Sequence, residues 1–332
     1  MPGTPIAARC AGLLCLLLAL SGALSTSPAH AQQPFCPDGT IKIVVPFPPG
    51  GPVDSTARVF AEPLRAALGQ TVILEHRAGA SGALATAMVA QAAPNGCTML
   101  FSYDTHAVNP AVMEKLTFDT VTAFKPVTLL ATVPNVLVVH PSQPWKTLDD
   151  VVAEARKKDG DLVYGTGGTA TLAHLAVKRI EQAYNIRMRH VAYRGGAPAL
   201  QDALGGHVPM MMGSLLSVGA AIKDNRLRAI LQTGTKRHPA LPDTPTVADV
   251  GQPSIEAISW VGVFLPAGAS DEHVSRLNAA LKEAVKDASI RERMAQLGFE
   301  LVGSTPQELQ TFVVSEIKRW TEVVKQNNIK LE

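Results

Sequence analysis

The sequence predicts an α/β protein of two domains, each a mostly parallel sheet flanked by helices. Three observations carry that prediction. About 300 residues follow an N-terminal apolar segment, a length that suits two domains of ordinary size. Short β-branched runs alternate with amphipathic segments of 3.6-residue period, the β-α-β-α-β order that gives parallel strands. The same order recurs after an interruption near residue 130, again with glycine-rich turns between strand and helix.

Residues 1–31 read as an export signal. Arg9 is the positive n-region, the run from Leu13 to Leu24 is the apolar h-region, and Ala29-His30-Ala31 is a small-x-small site with cleavage after Ala31. The apolar run of about 12 residues is shorter than the about 20 a bilayer span needs. Cys15 follows Leu14, where lipid attachment wants a small residue. The expected location is the periplasm.

In the first domain, residues 41–45 form a buried strand. The helix after it, residues 53–68, turns Val53, Ala57, Phe60, Ala61, Leu64 and Leu68 to one face. Pro52 fits its first turn, Pro63 is expected to kink or break it, and Gly69 ends it. Residues 71–75 are a second strand, residues 79–82 a tight turn into a helix over 83–92, and residues 98–101 a third strand. Residues 127–139, with Pro134 among them, are the crossing into the second domain.

That domain opens on a helix over 147–158 and a strand over 162–164. A Gly165-Thr166-Gly167-Gly168-Thr169 turn leads into a helix over 171–184. A strand over 189–193 and the turn Arg194-Gly195-Gly196-Ala197-Pro198 precede a helix over 199–204, and strands follow at 208–212 and 228–232. The chain returns to the first domain between Gly234 and Gly262, so residues 32–132 with 235–332 make domain 1 and residues 133–234 domain 2. Two helices close the chain. The first, over 271–286, carries Val274, Leu277, Leu281 and Val285 on one face. The second starts at Thr305-Pro306-Gln307-Glu308, a capping threonine with proline first and glutamate third.

Lys and Arg number 30 against 28 Asp and Glu, a formal charge of +2 that falls to +1 once Arg9 leaves with the signal. Nothing in that balance draws the chain to nucleic acid or an anionic membrane. Cys10 and Cys15 leave with the signal; Cys36 and Cys97 remain, each just before a predicted strand. In a sheet of order 2-1-3 those strands are neighbours, which brings a Cys36–Cys97 disulfide within reach. Two free buried thiols are the other reading.

Four loops are candidates for binding. Pro46-Phe47-Pro48-Pro49-Gly50-Gly51 ends a strand and starts a helix, leaving free N–H groups where a dipole favours an anion. An ordinary strand-to-helix turn is the alternative. Asp54 either supports that first turn or meets a ligand ammonium. Gly165 to Thr169 repeats the logic with added hydroxyls, and lacks both the Walker lysine and the dinucleotide spacing. Ser102-Tyr103-Asp104-Thr105-His106-Ala107-Val108-Asn109-Pro110 follows the third strand, as either a ligand loop or a surface loop with an Asn-Pro turn. Arg194 either pairs with a carboxylate or faces solvent. His174 is read as a packed or capping histidine. There is no Gly-x-Ser-x-Gly, no His-Glu-x-x-His and no metal cluster, so neither catalytic residue nor cofactor is expected.

These segments, in this order, resemble the Bug-type solute-binding receptors of tripartite tricarboxylate transporters. The resemblance rests on Ile41-Lys42-Ile43-Val44-Val45-Pro46-Phe47-Pro48-Pro49-Gly50-Gly51 with Asp54 and Ala57-Arg58, and on Glu75-His76-Arg77-Ala78-Gly79-Ala80-Ser81-Gly82 and Ala93-Pro94-Asn95-Gly96. It continues through His190-Val191-Ala192-Tyr193-Arg194-Gly195, Leu241-Pro242-Asp243-Thr244-Pro245-Thr246-Val247 and Trp260-Val261-Gly262. It implies a monomeric type II-like periplasmic binding protein that closes like a Venus flytrap on a small organic carboxylate and delivers it to membrane permease subunits. Carried over, Phe47, Pro48, Gly50 and Gly51 form one jaw and Thr166, Gly167, Gly168 and Thr169 the other, with Ser102, Tyr103 and His106 as the floor. Pro52-Val53 stands where the family has smaller residues. The stretch Val208-Pro209-Met210-Met211-Met212-Gly213-Ser214 lacks the acidic residues common there, which argues against an ammonium contact from that strand; Ser214, at its end, joins the candidate ligand residues. A secreted α/β hydrolase or a periplasmic ligand sensor are the alternative classes.

Overall fold

The structure is a computed structural model that describes residues 34–331. The predicted export signal and its cleavage site after Ala31 lie outside the described residues. In chain order the first elements are β1 (Thr40–Val45), α1 (Pro52–Leu68), β2 (Thr71–His76), α2 (Ala83–Ala90), β3 (Thr98–Ser102), α3 (Thr105–Val112) and β4 (Phe124–Val139). Then follow α4 (Leu148–Lys158), β5 (Val163–Thr166), α5 (Leu172–Tyr184), β6 (Arg189–Ala192), α6 (Gly196–Leu204), β7 (Met210–Ser214), α7 (Leu215–Lys223) and β8 (Arg228–Gln232). The last are β9 (Ile258–Pro266), α8 (Asp271–Lys286), α9 (Ala288–Gln296), β10 (Glu300–Leu301) and α10 (Pro306–Gln326).

The strands follow one path, β2-β1-β3-β9-β4-β7-β5-β6, with β8 and β10 also paired to β4. The two ends of the path are parallel: β2-β1-β3 at one, β7-β5-β6 at the other. The middle is antiparallel, because β9 returns between β3 and β4 and because β4 then pairs with β7 and β8. The sheet thus has two parallel α/β ends around an antiparallel middle, joined through β4.

Strand alternation splits the core onto the two faces of this sheet. Trp260 and Phe264 of β9 pack with α2, α3, α4, α5 and α10, together with Leu100 of β3 and Met210 and Met212 of β7. Val261, Val263 and Leu265 pack with α1, α6, α7, α8 and α9, together with Met99, Phe101 and Met211. Gly262 is required in this motif, since a Cβ there would stand 2.8 Å from the Phe264 ring and 2.9 Å from Trp260.

Local signals place the ends of the elements. Gly69, left-handed at φ 65°, terminates α1, and Thr305 and Glu308 form the predicted capping box of α10. A disulfide joins Cys36 and Cys97, with Cα atoms 4.7 Å apart. The parallel β1–β3 register brings them together, and the Lys42 amide donates to the Cys97 carbonyl at 2.8 Å. No helix among the described residues is long and apolar enough to cross a membrane.

Three local expectations change. Pro63 does not interrupt α1, which continues through it with Phe60 and Leu64 buried on either side; their packing offsets the hydrogen bond that proline removes. The stretch read as a loop after β3 is a helix, α3, with Pro110 inside it, because His106, Ala107, Val108 and Val112 bury one face. Four elements went unassigned in the sequence: β9, β10, α7 and α9.

Candidate functional site

Five helices point their N-termini at one cleft. It has a volume of about 650 Å³ and lies between the loop entering α1 and the loops entering α5, α6 and α7. Its lining includes Gly51, Pro52 and Val53 at the start of α1, and Asp104 and Thr105 at the start of α3. Thr171 and Leu172 start α5, Gly195 and Gly196 start α6, and Ser214, Leu216 and Ser217 belong to the start of α7. Thr171 caps its own helix, accepting from the His174 amide. Gly51, Asp104, Gly195 and Ser214 provide no side-chain cap. First-turn amides of α1, α6 and α7 are therefore left without a side-chain acceptor, while in α3 the Thr105 amide meets the Asp104 carboxyl; the free ends carry the positive poles of their dipoles, an environment that attracts an anion.

The first wall is held from behind. The Asp54 carboxylate accepts from the Gly50 amide at 2.8 Å, from Arg58 Nε at 2.9 Å and contacts His76 Nε2 at 2.6 Å. Burial raises its affinity for a proton, but the hydrogen bonds from Arg58, Gly50 and His76 outweigh that and hold it below its ordinary value. Asp54 is thus ionised and buried, and it fixes Gly50, whose φ of 87° favours glycine. Phe47 projects over the cleft with its ring edge-to-face on Tyr103, centroids 6.1 Å apart.

The second wall is also built on backbone. Gly195 donates to the Gly167 carbonyl at 3.0 Å, and a Cβ on Gly167 would lie 3.0 Å from the Gly196 nitrogen. Behind the loop, Thr166 is fully buried. Its hydroxyl meets the Gly168 carbonyl at 3.0 Å and His190 Nε2 at 2.7 Å. The Gly168 carbonyl also accepts from the Thr171 hydroxyl at 2.9 Å, so the Thr166–His190 bond is open to either tautomer of the imidazole. His190 stacks on His174 with centroids 4.0 Å apart, and the Ala170 amide donates to His174 Nδ1. Burial holds both rings neutral, His174 down to about 3 and His190 to about 4.

The floor is a hydrogen-bonded knot. Asn135 Nδ2 donates to the Ala257 carbonyl at 3.1 Å and meets the Ser259 hydroxyl at 3.2 Å, while the Thr233 hydroxyl donates to Ala257 at 2.7 Å. Asp104 lies here, 2% exposed, and burial pushes its carboxyl up to about 7. The Ser259 hydroxyl and the Thr105 amide work against that shift, and Glu316 adds to it. Burial also raises the Tyr103 phenol.

Of the residues expected from the sequence, the cleft lining brings together Phe47, Pro48, Gly50, Gly51, Tyr103, Gly167, Arg194 and Ser214. Asp54 and Thr166 sit behind the two walls, as does Gly168, through its bond to Thr166. Ser102 is buried in β3. His106 is buried behind the floor against Phe264 and Phe124, its proton affinity lowered by burial to about 3. Thr169 is exposed and outside the lining. Sequence reasoning did not single out Asn135, Ser217 or Ser259, and gave Asp104 no role of its own. A polar residue inside the apolar run from Val133 to Val139 was the one signal available for Asn135.

A second cavity, of about 450 Å³, includes Glu256 and Glu316, both paired with Arg319, beside Lys236 and Glu300. The larger of these two is the stronger candidate, because helix N-termini converge on it.

Residues 56–329 match the family model described as the tripartite tricarboxylate transporter family receptor. A protein of the tcbD-tcbE intergenic region of Pseudomonas sp. strain P51 is 35% identical over 311 residues, 93% of each chain. Protein BugT of Bordetella pertussis is 32% identical over 298 residues, 89% of this chain and 91% of that one. Among solved structures, a periplasmic transporter superposes with TM-score 0.80 at 34% identity, covering 88% of this chain and 98% of its own. Rpa4515 of R. palustris with adipate gives TM-score 0.80 at 32% identity, with the same coverage. MatC of Rhodopseudomonas palustris with bound malate gives 0.77 at 30%, covering 86% of this chain and 98% of that one.

Proposed function

The chain belongs to the tripartite tricarboxylate transporter receptor family, and from that premise we propose that it binds a small organic carboxylate in the cleft and hands it to permease subunits in the membrane. The observation that carries this reading is the convergence of helix N-termini, three without a side-chain acceptor, on one cleft. Such a site holds a carboxylate by amides and dipoles rather than by buried cations. Phe47, Leu200, Met211 and Leu216 supply apolar surface for the rest of the ligand. The adipate and malate bound by two relatives support the same chemical class here.

In this reading residues 32–132 with 235–332 form one domain and residues 133–234 the other, each giving one wall, and a monomer closes them over the ligand. Residues 1–31 direct the chain to the periplasm and are removed after Ala31. In this reading the protein acts as a receptor, in line with the transporter receptor family it belongs to.

Thermal-shift screening of a carboxylate library, followed by calorimetry, tests the proposal. The expected result is saturable binding of at least one small carboxylate with no chemical change in the recovered ligand. A folded sample that binds none of them, or that converts one, refutes it.

A further inference from the structure

Asp104 occupies the N-cap position of α3, where an aspartate ordinarily accepts from the second or third amide of its helix; its side chain makes no such cap and, of its own helix, meets only the adjacent Thr105 amide. The residue is 2% exposed and lines the cleft. No ion pair reaches it among the described residues. Its polar neighbours are the Ser259 hydroxyl and the Thr105 amide, and the nearest charge of note, Glu316, is of the same sign. A buried carboxyl without a cation is costly unless something arrives to pair with it. Arg194, in the loop entering α6 on the second wall, is the other ionisable side chain of the lining; it is exposed and, among the described residues, also without an ion pair. The cleft therefore presents one carboxyl at its floor and one guanidinium on its second wall.

A dicarboxylate would set its second negative charge against Asp104 with one exposed arginine to offset it. A molecule with one carboxylate and one ammonium pairs with both. Resting on the carboxylate reading above, the geometry points to Asp104 as a specificity residue that receives a protonated nitrogen, so that the ligand is an amino-bearing carboxylic acid. Its carboxylate meets Arg194 and the uncapped helix ends, its ammonium meets Asp104, and its apolar body lies on Leu200, Met211 and Leu216.

Calorimetry on the purified protein with matched pairs tests this: L-leucine against 4-methylpentanoate, L-phenylalanine against 3-phenylpropanoate, L-aspartate against succinate. At least one amino acid is expected to bind about tenfold or more tighter than its partner lacking nitrogen, the lower range for a charge-assisted hydrogen bond in a closed site. In Asp104→Asn the ratio for that pair is expected to fall to about one, by the same reasoning. The wild-type comparison stands even if the variant folds poorly. Plain acids bound as tightly as their amino partners overturn this inference and leave the carboxylate reading intact. A plain acid bound tightest and weakened by Asp104→Asn makes Asp104 a neutral donor, which also overturns it. Binding of no acid in any pair overturns both readings together.

Discussion

Asp104 destabilises the protein that holds it. An ordinary carboxyl value of 3.8 applies in the unfolded chain and about 7 in the folded one, from burial first and Glu316 second. Between those values the folded state binds the extra proton, so stability from this group falls as pH rises through the window. The Asp104→Asn variant, without ligand, should therefore melt a few degrees above wild type near pH 8, with the gap closing toward about pH 4. Glu316 is buried and shifted the same way and couples to Asp104, so the difference in melting temperature reports Asp104 together with that coupling. A gap independent of pH would mean that Asp104 is charged at no cost. The glycines of the two walls make a separate prediction. Gly167→Ala sets a methyl 3.0 Å from the Gly196 backbone nitrogen, and that neighbour cannot rotate away. Gly50→Val forces a β-branched residue to φ 87°, at a cost of about 1–2 kcal/mol. Both should weaken carboxylate binding by about tenfold or more, since roughly 1.4 kcal/mol suffices for that, while thermal unfolding shows the fold retained. Unchanged affinity in both variants removes these loops from the site.

Helices and strands differ in how far their reasons lie from them in sequence. The Cys36–Cys97 bridge closes a separation of 61 residues, and constraint of the unfolded chain over such a loop contributes about 2–4 kcal/mol. A Cys36→Ser/Cys97→Ser protein should unfold at lower denaturant with its secondary structure intact; an unchanged midpoint would assign the bridge no role in stability. That pairing was within reach of the sequence because β1, β2 and β3 are consecutive and their order follows from parallel packing. The caps at Thr305 and Gly69 were readable for the same local reason. β9 was not: it begins 156 residues after β3 ends, counting from Ser102 to Ile258, and no turn chemistry near Trp260 announces that it will lie antiparallel to β3 and β4. The site divides along that line. The wall loops around Gly50 and Gly167 belong to strand–turn–helix units legible in place. The floor exists because register sets Ser102 opposite Gly262 and Val133 opposite Ser259, which brings Asp104, Asn135 and Ser259 to one spot. A short polar segment after β3 looked like a loop for want of that partner.

At the scale of the whole molecule, the question is whether two walls joined through β4 and the segment around 233–257 move on each other. The knot of Asn135, Thr233, Ala257 and Ser259 ties those two connections at the cleft floor. In the two-domain reading proposed above, this knot lies at the base of the cleft, the place of a hinge. On the proposed reading, a ligand held by the α1 helix end on the first wall and by Arg194 on the second selects the closed form by differential affinity. Solution scattering should then show a smaller radius of gyration when a binding carboxylate is saturating. Unfolding should shift by about 2.7 kcal/mol at a hundredfold excess over Kd. Gly50→Val, which disturbs one wall and leaves the knot untouched, should lose both effects at the same ligand concentration. Ligand-induced stabilisation of the wild type with no change in scattering would mean that the cleft is already closed, and that its five helix ends hold the acid without a hinge.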